Sequence, residues 1–242
     1  MKIKFVYFTC LFLTISAYMT AQISNSAIDN RTAFAYSDLI SKVGKFKRTT
    51  KIDLRNVVGN PYTNKSFLPG KILFKNEKVD KLFLLRYNAY KDIIEVEVEN
   101  GAIDNVLMSE KISCIIGNDL YEYTTYKNKK SNEEETGYIK IILESDEYTL
   151  FSKQKKVFHQ EKISPDPKVA SYKAKYVGIE KFYLLDNANN TAYLLKKRKN
   201  FLERINSSST KKIIKKFIKK ERISFKKEKD LIRLLKHYNK IK

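Results

Sequence analysis

The sequence predicts an α+β protein: a mainly antiparallel β body, barrel-like or a folded-over meander, with a C-terminal basic helical hairpin. Three observations predict it. Short β-favouring runs follow one another at hairpin spacing from Lys71 to Leu195, with no long helical period between them. The stretch from Leu82 to Gly101 reads strand, tight turn, strand, second turn. In it the apolar run Leu82 to Leu85 leads through Arg86-Tyr87-Asn88-Ala89-Tyr90 and Lys91-Asp92 into the alternating run Ile94 to Glu99, and Asn100-Gly101 supplies a strong hairpin-turn signal. Beyond Leu195 the apolar period becomes helical and the charge rises sharply.

The front of the chain, residues 1–21, has the three parts of a secretory signal. Lys2 and Lys4 precede a mostly apolar run from Phe5 to Ala17, and small residues near Met19-Thr20-Ala21-Gln22 place cleavage after Ala21. That run is too short to span a bilayer comfortably, so a retained membrane helix is the lesser reading, and no later segment is apolar enough to cross. Bulky Tyr7-Phe8-Thr9 before Cys10 argues against lipidation. The expected location is therefore exported, in the periplasm or at the outer membrane, with release outside the cell as a further alternative. Cys114 then remains as the one cysteine of the mature chain, expected to be buried among Ile112, Ile115 and Ile116.

Residues 22–50 read as a weakly ordered lead-in, with Phe34, Tyr36, Leu39, Ile40 and Val43 suggesting one short helix. Residues 51–195 form the β domain. Asp53 to Val58 is an extended entry, and Gly59 to Gly70, with Pro61 and Pro69, is a structured loop that Tyr62 and Phe67 pin to the core. Lys71 to Phe74 starts the first firm strand, and Lys75 to Lys78 turns it. Val106 to Met108, Ile112 to Ile116, and Leu120 to Tyr126 continue the pattern, and charged Lys127 to Thr136 is the expected mobile loop. Tyr138 to Leu143 and Tyr148 to Phe151 make a hairpin over Glu144 to Glu147, and Lys155 to Ile163 extends its second strand. Ser164 to Pro167 breaks regular structure, and Lys181 to Leu185 with Ala192 to Leu195 makes the last hairpin.

Residues 196–242 carry 19 Lys and Arg against 4 Asp and Glu, a net +15 out of +21 for the whole chain, which leaves +6 for everything before. Such a shift marks a boundary. From Thr210 to Glu221, Ile213, Ile214, Phe217 and Ile218 share one helical arc, Lys211, Lys212, Lys215, Lys216, Lys219 and Lys220 cover the rest, and Ser209 is the expected N-cap. A second helix is expected from Lys226 to Lys240, with Leu231, Ile232, Leu234, Leu235 and Tyr238 on one face.

The Gly59-Asn60-Pro61-Tyr62 loop with Phe67 and Pro69-Gly70, the Arg86-Tyr87-Asn88-Ala89-Tyr90-Lys91-Asp92 hairpin with Glu95, and the basic C-terminal region ending near Tyr238-Asn239 give the chain a resemblance. It resembles an uncharacterised family of exported envelope proteins from Bacteroidetes-type bacteria. The resemblance covers most of the mature chain. It implies an envelope location and brings no catalytic residue and no reaction.

The residues add little chemistry of their own. His159 with Glu161 two positions on is one histidine and one carboxylate, short of a metal site, and His237 among lysines is expected to be solvated. No phosphate loop, nucleophile elbow or metal-spaced cluster occurs, so no cofactor or metal is expected. Arg86, Tyr87, Tyr90 and Asp92 form a candidate ligand-binding group beside a turn. The structural alternative has Asp92 capping the turn and Arg86 pairing with Glu95 or Glu97 across the strands. The six lysines from Lys211 to Lys220 are the candidate contact for an anionic surface. They are either a solvated face, the preferred reading, or a contact for an anionic membrane surface or glycolipid. Nucleic acid is disfavoured by the export signal. The function expected is a non-enzymatic envelope scaffold with a cationic surface. An envelope protein partner and a carboxylate-based enzyme are the alternatives.

Overall fold

The computed structural model describes residues 57–74, 82–98, 101–163, 165, 168 and 170–242. The expected signal, the expected lead-in, Asp53 to Asn56, the turn expected at Lys75 to Lys78, Asn100, and Ser164, Asp166 and Pro167 lie outside them. The chain is α+β, with a ten-stranded, almost wholly antiparallel sheet and helices at the C-terminus.

The strands are β1 (Leu68–Phe74), β2 (Phe83–Asn88), β3 (Ile93–Glu97), β4 (Ile103–Asn105), β5 (Ile112–Ile116), β6 (Asp119–Asn128), β7 (Glu133–Glu144), β8 (Tyr148–His159), β9 (Lys175–Asp186) and β10 (Thr191–Leu194). Their spatial order is β10-β9-β8-β7-β6-β5-β1-β2-β3-β4, with one further pairing of β10 with β6. That pairing is parallel, Thr191 opposite Lys127 and Ala192 opposite Asn128, and it closes β6 to β10 into a five-stranded ring. β6 serves two neighbours on one edge. Asp119 to Glu122 pairs with β5, and the far end pairs with β10. The remaining strands extend from the ring as an open sheet, so the β body is both a small barrel and a meander.

Alternation along the strands sorts side chains into separate cores. Inside the ring lie Tyr126, Ile139, Phe151, Tyr183 and Ala192, with Phe151 and Tyr183 stacked at 5.2 Å. The open sheet buries Ile72, Phe83, Leu85, Tyr87, Ile94, Val96, Cys114, Tyr121 and Tyr138. Cys114 is fully buried as expected, and burial pushes its thiol pKa up, away from reactivity.

Several boundaries differ from the sequence expectation. Lys127 to Thr136 is not a long loop: β6 runs to Asn128, β7 begins at Glu133, and only Lys129 to Asn132 turns, with Asn132 at φ +62. The charged run fits strands because Glu135 bonds Tyr126 and Asn128 across the ladder. The strand near residue 106 is Ile103–Asn105, set by its pairing with Glu95 to Glu97. Leu107 and Met108 are exposed. β9 starts at Lys175, six residues before its apolar run, because it pairs with β8 residue for residue from His159 back to Tyr148.

The C-terminal region holds α1 (Arg198–Leu202), α2 (Ser208–Lys220) and α3 (Glu228–Ile241). The N-cap of α2 is Ser207, not Ser209, since the Ser207 hydroxyl accepts the Thr210 N–H at 3.3 Å. α2 and α3 pack antiparallel, because Phe217 stacks on His237 at 3.9 Å while Glu221 pairs with Arg233. His237 is therefore half-buried rather than solvated. Ile214, Ile218, Leu231, Leu234, Leu235 and Tyr238 form a third core with Tyr148, Leu150, Phe182 and Leu184, the outward side chains of β8 and β9. Lys140 on β7, 7% exposed, anchors the start of α3 by donating to Glu228 at 2.6 Å. Burial lowers the Lys140 pKa, but Glu228 and Asp119 outweigh it and the net shift is upward.

Two outcomes follow from this docking. Ile214→Ala is expected to cost about 3 kcal/mol in urea unfolding, because a fully buried side chain leaves a cavity. Tyr238, whose hydroxyl donates to Glu147 at 3.2 Å, has its pKa raised to about 12 by burial and by that carboxylate. Its contribution is therefore present below about pH 10, the unfolded tyrosine value, and lost as pH climbs through the folded value. Stability measured from pH 9 to 12 is expected to fall more gently in Tyr238→Phe than in the native chain.

Candidate functional site

The β2–β3 hairpin positions the residues singled out in the sequence, and it sends them in different directions. Arg86 on β2 faces Glu95 on β3 and donates to it at 2.6 Å, with Arg86 8% and Glu95 1% exposed. The Arg86 guanidinium lies between the rings of Tyr62, at 3.5 Å, and Phe67, at 4.1 Å, and a second nitrogen donates to the Lys65 carbonyl. Asn88 completes the group by donating to the other Glu95 oxygen at 2.9 Å. A buried charge pair needs hydrogen bonding of this kind to offset desolvation, although the Arg86 Nε is buried without a partner among the described residues. Arg86 is thus the post onto which the Gly59 to Gly70 loop folds, and Glu95, rather than Glu97, is its partner.

Tyr87 and Asp92 come together in a second place. Asp92 sits at φ +57, a left-handed conformation that Asp tolerates better than most residues. It does not cap the turn. Asn88 does so, accepting the Lys91 N–H at 3.1 Å. The Asp92 carboxylate instead leaves the hairpin and reaches the ring. One oxygen accepts from the Tyr87 hydroxyl at 2.6 Å and the Tyr138 N–H at 3.3 Å, and the other meets Lys153 Nζ at 2.7 Å. Lys153 also donates to the Tyr138 carbonyl at 2.7 Å. Gly137 makes this approach feasible, since a Cβ there would overlap the Asp92 carboxylate and crowd Lys153. Tyr90 goes elsewhere: it is 46% exposed and rests edge-on against Tyr176 at 5.3 Å. The four candidate ligand-binding residues therefore do not form one site.

What the hairpin tip builds is one wall of a cavity at the open end of the ring. The cavity encloses about 560 Å³ and is lined by Asp92, Glu135, Lys130, Lys153, Lys155 and Lys181, with Tyr183, Leu194 and Ile179 as its apolar part. Phe151, Lys153 and Lys155 alternate along β8, and Ile179, Lys181 and Tyr183 along β9, so the lysines continue the face that fills the ring with aromatics. Glu135 is held by Tyr126 at 2.9 Å and Asn128 at 2.7 Å. A second cavity of about 590 Å³ adjoins it, sharing Lys130 and Leu194, and is lined by Lys129, Lys196, Lys197, Tyr193 and Arg204.

None of these ring lysines stood out in the sequence. They sit on strands whose partners are remote, and only closure of the ring brings Lys130 beside Lys155 and Lys181. The signal present was the polar alternation of Lys153 and Lys155 immediately beyond an apolar strand. On α2, Lys212, Lys215, Lys216, Lys219 and Lys220 are exposed, and Lys211 is half-exposed. His159 and Glu161 are exposed at the far end of β8. Among the described residues, no three His, Cys, Asp or Glu side chains converge as a metal site would require. Comparison with protein-family models, with curated proteins and with solved structures finds no match for this chain.

Gly137→Ala is expected to lower stability by about 2–4 kcal/mol through overpacking and loss of the Asp92–Lys153 pair. Asp92→Asn is expected to cost about 2 kcal/mol for a weakened charged hydrogen-bond group. The double variant should lose less than the sum in urea unfolding, because both changes act on one contact.

Proposed function

We propose that this chain is an exported, non-enzymatic envelope protein that serves as an interaction scaffold with a cationic surface. The observation that carries the reading is the fixed display of charge on α2. Ile214 and Ile218 are buried in the core that the helices share with β8 and β9, and this leaves Lys212, Lys215, Lys216, Lys219 and Lys220 facing outward. The export part of the reading rests on the N-terminal signal.

The docked helix also defines how an anionic membrane surface or glycolipid would be met. The apolar face that an interfacial helix would insert is already in use, and only Ile213, 46% exposed, remains outside. Contact is then electrostatic, worth roughly 1 kcal/mol per lysine near an anionic surface and screened over about 8 Å at physiological salt.

A carboxylate-based enzyme is the second reading, and one observation favours it: Asp92 and Glu135 line the same cavity. It ranks lower because each oxygen of both carboxylates already accepts a hydrogen bond from the protein.

Co-sedimentation with phosphatidylglycerol-containing vesicles tests the scaffold reading. The mature chain is expected to bind at low salt and to release at physiological salt. Replacing the five exposed α2 lysines by glutamine should weaken low-salt binding at least tenfold. Salt-resistant binding would mean that apolar insertion, not a displayed charge array, makes the contact. Finding the native protein only in the cytosol would remove the export part.

A further inference from the structure

We propose that the mouth of the five-stranded ring is a binding site for an anionic saccharide, a sugar chain carrying phosphate or sulfate groups. The proposal rests on the scaffold reading only in treating the protein as a binder. It places the ligand on a different surface from α2.

The first argument is an unresolved charge conflict. Lys153 and Lys181 are directly opposite one another on β8 and β9, and Lys155 is the next residue of β8 on the same face. Like charges placed opposite across a ladder repel. Asp92 neutralises Lys153, but Lys155 and Lys181 are exposed and have no ion pair among the described residues. Lys130 approaches the same cavity from the β6–β7 turn, also without one. Three such cations beside one hollow leave positive charge unpaired there even with Glu135 in the lining, as a site shaped for an anionic ligand would.

The second argument is the lining between the charges. Tyr183, largely buried against Phe151, lines it together with Ile179 and Leu194, and Ser131 brings a hydroxyl from the β6–β7 turn. An apolar lining, a neutral hydroxyl and separated cations match a sugar ring with its hydroxyls and ester anions. Volumes of about 560 and 590 Å³ fall within the ordinary range for small-ligand sites. Because the two cavities share Lys130 and Leu194, a chain of sugars can continue from one to the other.

The third argument comes from the second cavity. Arg204 stacks on Tyr193 at 4.1 Å, and its Nε is buried with no hydrogen-bond partner among the described residues. Stacking fixes the guanidinium in place, and it has no ion pair among the described residues, which suits it to meet a phosphate or sulfate. The same stacking covers one face of Tyr193, which disfavours a nucleic-acid base as the occupant.

Calorimetric titration of the mature chain with a heparin oligosaccharide, with uncharged dextran and with single-stranded DNA tests the site. Binding of the sulfated sugar, none of dextran, and weaker binding of DNA are expected. Lys155→Gln with Lys181→Gln should weaken sugar binding at least tenfold and raise the melting temperature, since repulsion of Lys181 with Lys153 opposite it and among the lysines of this face is reduced. Glutamine at the five α2 lysines should leave sugar binding within twofold. Vesicles carrying a phosphorylated glycolipid, compared with its free head group, distinguish a lipid-linked from a soluble source. Absent binding, DNA binding as tight as the sugar's, or equal loss from the α2 variant would overturn the proposal, while α2-dependent vesicle binding could survive each of these results.

Discussion

The carboxylate of Asp92 joins the two parts of the β body. The open sheet and the ring share β6, but a shared strand alone permits them to hinge. Asp92 removes that freedom by carrying an acceptor from the tip of the β2–β3 hairpin into the wall of the ring, where Lys153, the Tyr138 N–H and the Tyr87 hydroxyl converge on it. The left-handed backbone at Asp92 and the missing side chain at Gly137 are the two local concessions that make the contact fit. The Ala89 carbonyl strengthens it by accepting the Lys156 N–H at 3.0 Å, so the hairpin tip meets β8 through backbone as well as side chains.

The fold class was legible because each strand advertised itself locally. Alternation in Leu120 to Tyr126, the turn between Leu143 and Tyr148, and the Arg86–Glu95 cross-strand pair need only neighbours close in the chain. Ring closure was not legible. Thr191 and Lys127 are joined by a parallel pairing that no periodicity announces, and with it went the cavity and its lysines. The charged run Lys127 to Thr136 misled for the same reason: Glu135 reads as solvated until Tyr126 and Asn128 are seen to need an acceptor. The helical charge was obvious and drew attention to α2, where the lysines are spread on a convex, solvated face.

The basic region is part of the fold rather than an appendage beside it. Its apolar stripes cover the outer face of β8 and β9, so the same two strands fill the ring with one set of side chains and receive the helices with the other. Lys140 to Glu228, Tyr238 to Glu147 and Lys242 to Glu147 fasten the ends of α3 to β7 and to the β7–β8 turn. High positive charge here is compatible with stability because the lysines project away from the contact while acidic residues of α3 and the β body lie within it.

The ring is closed by β10, and the helices that cover the outer face of β8 and β9 lie beyond it in sequence. During synthesis, β1 to β9 therefore emerge before either event can occur, and Leu150, Phe182 and Leu184 stay uncovered until the final fifth of the chain arrives. The ring and its outer core are withheld until these later elements are present. Contacts this distant in sequence close slowly, and a polypeptide that must thread through a narrow channel before folding would gain time from such an arrangement.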